Sequence, residues 1–152
     1  MAERYQSAAA GHRGITWPNK TELTDLEFVR KFEACELTND SFHHRDHIRL
    51  AFVYLQRYRE LEAREHIAGA IRKFAAHHGQ TDKYHETLTV AWLRLVGSAM
   101  ARVPRDASFD ELTIAAPDLL DKRTIEKFYS SAALSAEDAR TFWVEPDLQP
   151  LP

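Results

Sequence analysis

The chain has 152 residues, of which 44% are hydrophobic and 28% are charged. This length and composition indicate one soluble globular domain, because a chain of about 150 residues can bury one hydrophobic core and a disordered chain would be less apolar. The formal net charge of −3 provides no basic surface of the kind that nucleic-acid binding needs, so nucleic acid is not an expected partner.

Cysteine content and hydropathy indicate the compartment. Cys35 is the single cysteine, so an intrachain disulfide is impossible, and the surrounding pattern predicts a small core residue within a helix. The N-terminal residues lack the basic segment and apolar run of a secretory signal. The longest apolar stretch, 88–103, contains Arg94 and Arg102 and is shorter than the ~20 residues that span a bilayer. We therefore expect a cytoplasmic protein without a membrane segment.

The N-terminal part of the chain divides into an arm and the start of a helical domain. Residues 1–20 contain Gly and Pro without an apolar period, which predicts a flexible N-terminal arm. The helical domain is expected over 21–143. Its first helix should begin after Thr24, because Glu27 three residues later completes a capping box, and it should run to about Leu37.

Three more long helices are predicted from apolar residues that recur at helical spacing. They span about 43–59, 61–78 and 85–103, and Gly79 lies where the third helix needs a left-handed residue to end. The helix over 85–103 is apolar on nearly two faces. This pattern predicts a central helix with neighbours on both sides.

Shorter elements are expected in the C-terminal third. Helices are predicted over 108–115, 117–122, 125–133 and 135–142, and the Pro-rich end over 144–152 should lie as an extended strap on the surface. No segment alternates apolar and polar residues as a strand does. The sequence thus predicts an all-α fold, a single-domain irregular bundle of four main helices followed by short C-terminal helices and an extended tail.

Three of the eight histidines are expected to face the core. His44 and His47 share a helical stripe with Ala51 and Leu55, and side chains three residues apart are close enough to bind one ion. His85 begins the fourth helix on the stripe that faces inward. Three neutral imidazoles from facing helices are typical of a site for one divalent transition metal ion, here Zn, Fe, Cu, Mn or Ni.

Acidic neighbours could complete such a site. Glu86 follows His85 and could act as a fourth ligand or as general acid or base, so it is the candidate catalytic residue. Asp46 could orient a ligand histidine. The positive end of a helix dipole disfavours the imidazolium form, so a histidine in a first helical turn stays neutral for metal binding. The remaining helical histidines, including His43 and His66, are expected to be solvated or to lie near helix ends.

Two interpretations of these histidines stay open. The first is a three-histidine mononuclear metalloenzyme, an oxidoreductase or a hydrolase, that acts on a small molecule. The second is a metal-free helical module that binds a small molecule or a protein, because inward histidines at helix starts can also be hydrogen-bonded core residues.

Four motifs together resemble a group of small bacterial proteins for which no activity is known. They are FHHRDHIRLA from Phe42, YHETLT from Tyr84, FYS from Phe128 and WVEPDL from Trp143, and the resemblance extends over most of the chain from Thr24 onward. It implies that the three inward histidines belong to one repeated constellation. The arrangement is also similar to the metal-binding bundles of the DinB-like superfamily, although the sequence lacks their closing HxxxH pair.

Overall fold

The computed structural model describes residues 23–152, so the predicted arm over 1–20 lies outside the described residues. The α-helices are α1 (Asp25–Glu33), α2 (His44–Arg57), α3 (Glu60–His77), α4 (Glu86–Met100), α5 (Phe109–Ala115), α6 (Ser131–Ser135) and α7 (Glu137–Thr141). Thr81–Lys83, Pro117–Leu120 and Lys122–Lys127 are 3₁₀ helices. The described residues contain no strand, which confirms the all-α prediction. None of their helices is long and apolar enough to cross a lipid bilayer.

The hydrophobic core lies where α2 and α4 pack together, with α1 and α3 against them. Helix α4 contacts α2, α3 and α7, and its buried residues include Val90, Leu93 and Val96. Phe32 of α1 is fully buried and stacks on Phe74 of α3 with ring centroids 4.5 Å apart. Each such side chain contributes about 1.5–3 kcal/mol through burial. The central position that the sequence predicts for the fourth helix is therefore observed.

Two predicted helix boundaries are confirmed by their hydrogen bonds. Thr24 and Glu27 form the capping box, because the Thr24 hydroxyl accepts the Glu27 N–H at 3.1 Å and the Glu27 carboxylate accepts the Thr24 N–H at 2.9 Å. Gly79 follows α3 with a φ of 70°. The next N–H, from Gln80, donates to the Ala75 carbonyl at 2.7 Å, which closes a Schellman motif.

The first helix ends earlier than predicted, because Cys35 leaves the right-handed conformation. Helix α1 stops at Glu33, not near Leu37. Cys35 has a φ of 59°, and the N–H groups of Cys35 and Glu36 donate to carbonyls in the last turn of α1 at 2.9 and 2.8 Å. These two bonds form another Schellman motif. The prediction of a helical core cysteine is therefore wrong, since Cys35 is a half-buried turn residue.

The C-terminal third differs most from the prediction. The helix expected over 125–133 does not form. The 3₁₀ helix Lys122–Lys127 ends before Phe128, and α6 begins only after Ser130. The Phe128 carbonyl accepts the N–H of Leu148 at 2.9 Å. The Ser130 hydroxyl accepts the N–H of Ala133 at 3.0 Å and caps α6. The tail and the Ser130 side chain therefore form hydrogen bonds with backbone groups that would pair with one another in a continuous helix.

The residues after α7 run without helix along the body of the protein. The Thr87 hydroxyl, in the first turn of α4, donates to the Phe142 carbonyl at 2.8 Å and accepts the Val144 N–H at 3.1 Å. The Tyr129 hydroxyl donates to the Val144 carbonyl at 2.6 Å. These bonds fasten the tail both to α4 and to the segment that precedes α6.

Cys35 and Gly79 occupy equivalent left-handed positions after α1 and α3, so replacing Cys35 by glycine and Gly79 by alanine should change the free energy of unfolding in opposite directions. We expect Cys35→Gly to raise the free energy of unfolding by up to about 1 kcal/mol, because glycine adopts this conformation without steric cost. We expect Gly79→Ala to lower it by about 1 kcal/mol. An added Cβ at Gly79 would meet no atom within 4 Å, so the backbone alone accounts for the loss. Urea unfolding followed by circular dichroism measures both changes, and a destabilising Cys35→Gly would contradict the assignment.

Candidate functional site

The three predicted histidines line one cavity at the first turns of α2 and α4. Its volume is about 690 Å³, which is the size of a typical small-molecule site. His44 and His47 reach it from α2, and His85 reaches it from the N-cap position of α4. We call it the histidine cavity. Much of its wall is apolar and includes Ala51, Ile67, Ile71, Leu88, Trp92 and Leu134.

The start of α2 places its two histidines. The buried carboxylate of Asp46 accepts the backbone N–H of His43 at 2.8 Å, which stabilises the first helical turn. His44 is then the first helical residue and His47 lies one turn later. Asp46 was predicted to orient a ligand histidine, and this hydrogen bond shows it fixing the backbone at the helix start.

His85 uses both of its ring nitrogens. Its Nδ1 accepts the N–H of Leu88 at 3.2 Å and thereby caps α4. Its Nε2 lies 2.9 Å from the carbonyl oxygen of Leu134. A carbonyl can only accept, so Nε2 carries the proton and the ring is the neutral tautomer. The His85 side chain therefore joins the start of α4 to α6.

His44 uses only one of its ring nitrogens. Its Nε2 lies 2.9 Å from the Leu119 carbonyl oxygen and donates to it by the same argument. The ring packs edge-on against Trp92, with centroids 4.5 Å apart. Burial lowers the pKa of His44; the bond to Leu119 opposes this shift, and the charge of Lys122 adds to it. Within residues 23–152, the Nδ1 atom has no hydrogen-bond partner.

His47 is the least engaged of the three histidines. Burial lowers the pKa of His47 to about 4, and the nearby His44 and Lys122 act in the same direction. The ring lies edge-on to Phe42, with centroids 4.6 Å apart. Neither ring nitrogen bonds to any group in the described part of the chain. At neutral pH this imidazole is uncharged, so it offers a ligand one N–H donor and one lone pair.

Glu86, the predicted catalytic residue, lies between α3 and α4. Its carboxylate accepts the Tyr84 hydroxyl at 2.7 Å and pairs with Arg72 at 3.2 Å and Arg64 at 3.5 Å. The side chain is only 12% exposed, and it is not among the residues that line the histidine cavity. Its predicted role would require the carboxylate to leave these three partners.

The structure brings the predicted ligands to one cavity without a compact three-residue cluster. No group of three or more His, Cys, Asp or Glu side chains within residues 23–152 is close enough together to hold a metal ion. His85 has both nitrogens in hydrogen bonds, whereas His44 has one nitrogen unpaired and His47 has two. The geometry therefore leaves His44 and His47 available for binding through nitrogen.

Basic residues at the histidine cavity were missed by sequence reasoning. Lys83, Lys122 and Arg45 line it, and none of the acidic residues in the described chain does. Arg45 pairs with Asp110 at 3.0 Å. Lys83 and Lys122 have no ion-pair partner among residues 23–152. Lys122 comes from a 3₁₀ helix after α5, and no helical period in the sequence places it beside α2.

Comparison with models of known protein families, with curated proteins and with solved structures gave no match. The resemblance to small bacterial proteins and to helical metal-binding bundles therefore stays a prediction.

The half-buried, uncharged His47 should make the protein less stable in mild acid. Its pKa is 6.5 when solvated and about 4 in the folded protein. Between these two values the unfolded chain binds more protons, so the free energy of unfolding falls as pH drops through this range and levels off below it. We expect a loss of about 2 kcal/mol between pH 7 and pH 5.

Urea unfolding at these two pH values measures the effect, with His47→Gln as the test variant. The variant should lose most of the difference, because glutamine does not titrate. His77→Gln is the matched control, since His77 is exposed at the end of α3, and it should keep the full difference. A His47→Gln protein with the pH dependence of the parent would contradict the assignment.

Proposed function

We propose that this chain is a small-molecule-binding protein and that its ligand occupies the histidine cavity. The observation that supports this most directly is a cavity of about 690 Å³ whose apolar walls surround a few polar groups. Small-molecule sites commonly have this combination, in which apolar surface provides affinity and a few polar groups fix orientation.

The polar groups suited to hold a ligand lie on one side of the histidine cavity. His47 has two ring nitrogens without a partner among the described residues, and His44 has one. The Nε2–H of His85 already donates to a backbone carbonyl, so it is not available to a ligand. A ligand that offers His47 both a donor and an acceptor would pair groups that otherwise depend on water.

A metal-dependent form of this function is the second candidate, and the hydrogen bond of His44 supports it. Histidines that bind metals commonly donate one ring N–H to a backbone carbonyl, which orients the other nitrogen toward the ion. His44 donates to Leu119 in this way. His44 and His47 would hold a divalent transition metal ion, and His85 would join them only by giving up a hydrogen bond. Such an ion could polarise a substrate oxygen or activate water.

The wider setting of this function is proposed on compositional grounds. The formal net charge of −3 supports a small molecule over nucleic acid as the partner. The single cysteine agrees with a reducing compartment, so we place the protein in the cytoplasm.

Filling the histidine cavity should weaken ligand binding. We would titrate the protein with 8-anilinonaphthalene-1-sulfonate and measure dye emission in the parent and in Leu134→Trp, whose larger side chain occupies the cavity. The half-buried Leu134 contributes its side chain to the wall. We expect at least about a fivefold weaker affinity, equivalent to about 1 kcal/mol.

Leu148→Trp is the matched control, because Leu148 is 56% exposed and does not line the cavity. It should bind the dye as the parent does. Circular dichroism of each variant shows that the fold is intact. Equal dye binding by Leu134→Trp and the parent would contradict the proposal.

The metal-dependent form is tested by elemental analysis of untagged protein after incubation with Zn²⁺, Fe²⁺, Cu²⁺, Mn²⁺ or Ni²⁺. We expect about one equivalent of one metal in the parent and in the exposed control His77→Ala, and loss of metal in His47→Ala. Loss in folded His85→Ala would make His85 a third ligand. If the parent retains none of the five metals, the metal-dependent form is wrong and the metal-free form stands.

A further inference from the structure

The histidine cavity carries positive charge in a chain that is acidic as a whole. The sequence has 23 acidic and 20 basic residues apart from histidine, yet the charged residues that line the cavity are all basic. A concave apolar surface with charge of one sign concentrates a ligand of the opposite sign. The charges that line the cavity therefore favour a negatively charged ligand.

Two of the basic residues are free to meet a ligand. Lys127, on the same 3₁₀ helix as Lys122, pairs with Asp118 at 3.3 Å and does not line the cavity. Arg45 pairs with Asp110 at 3.0 Å. Lys122 and Lys83 have no such partner within the described residues. Both are exposed, so their ammonium groups can turn toward the cavity.

Lys122 and His47 line the same cavity from two different elements, a 3₁₀ helix and α2. Lys122, His44 and His47 line the same cavity, and the charge of Lys122 accordingly contributes to the lowered pKa of both histidines. A carboxylate between Lys122 and His47 could accept a hydrogen bond from each. Such charge-assisted bonds are about twice as strong as neutral ones.

The apolar walls require more of the ligand than a charge. The cavity volume of about 690 Å³ exceeds what a bare inorganic anion fills. Such an ion would leave the side chains of Trp92, Ile71 and Leu134 in contact with water. An apolar body in contact with these side chains would add about 25 cal/mol for each Å² that it removes from water. A cation with the same body would meet Lys83 and Lys122 without a compensating carboxylate.

We propose that the ligand of the histidine cavity is an organic carboxylate with an apolar body, its carboxylate held by Lys122 and His47. This inference depends on the proposed small-molecule function and specifies its ligand class. Lys83, which also lines the cavity, adds to its positive charge, and Trp92 lies against the apolar body.

Three probes with the same body test the sign of the charge: 4-phenylbutanoate, 4-phenylbutanamide and 4-phenylbutylammonium. Their affinities are measured from the shift of the Trp92 indole N–H signal in ¹H–¹⁵N spectra. We expect the carboxylate to bind about tenfold more tightly than the amide, and the ammonium probe more weakly than the amide. The preference should shrink as salt concentration rises, because both lysines are exposed.

Lys122→Gln should bring the affinity for the carboxylate close to that for the amide, so that the preference of about tenfold is lost. Lys127→Gln is the matched control, since it removes the same charge from the same 3₁₀ helix outside the cavity, and it should keep the tenfold preference. Equal binding of all three probes would overturn the inference and leave the small-molecule function intact. No shift with any probe would also overturn it, and the separate dye titration with Leu134→Trp then decides whether the small-molecule function fails as well.

Discussion

Two hydrogen bonds from histidine to backbone hold the C-terminal third of the chain against the helical bundle. The Nε2–H groups of His44 and His85 donate to the carbonyls of Leu119 and Leu134, each at 2.9 Å. These carbonyls follow their histidines by 75 and 49 residues, so the bonds join distant parts of the sequence. The segment that they join to the bundle contributes Lys122, Ile125 and Leu134 to the lining of the histidine cavity.

The same two bonds determine which ring nitrogen of each histidine remains for another contact. A carbonyl acceptor forces the proton onto Nε2 in both rings, which leaves the Nδ1 lone pair as the remaining group. In His85 that lone pair caps α4 through Leu88. In His44 it has no partner among the described residues. His44 and His85 are therefore anchored alike, but only His44 keeps a ring nitrogen available to a ligand, because the Leu88 N–H occupies Nδ1 of His85.

The long helices could be predicted because their signals are local. The capping box at Thr24 and the left-handed Gly79 each lie within a few residues of the boundary that they define. The end of α1 was missed because Cys35 occupies a left-handed position where glycine is the usual residue. The break at Phe128 was missed because its partner, Leu148, lies in the tail.

The site was predicted in part for related physical reasons. The three predicted histidines line one cavity, two from α2 and one from the N-cap position of α4. Glu86 is the neighbour of His85 in sequence, but successive helical residues point about 100° apart, so adjacency did not bring both to the cavity. Its carboxylate lies with Arg64 and Arg72 instead. The carbonyl partners of the histidines and the position of Lys122 depend on tertiary contacts that no local pattern encodes.

The histidine cavity is built from two stretches of sequence with different freedom to change. Helices α1 to α4 pack through fully buried side chains, so substitutions there disturb the framework. Lys122, Ile125 and Leu134 line the cavity from the short helices of the C-terminal third, where the Leu119 and Leu134 carbonyls that bind the two histidines are retained whatever side chain stands beside them. Divergent copies of this chain could therefore acquire new ligand preferences by changing one short stretch, while inheriting the bundle unaltered.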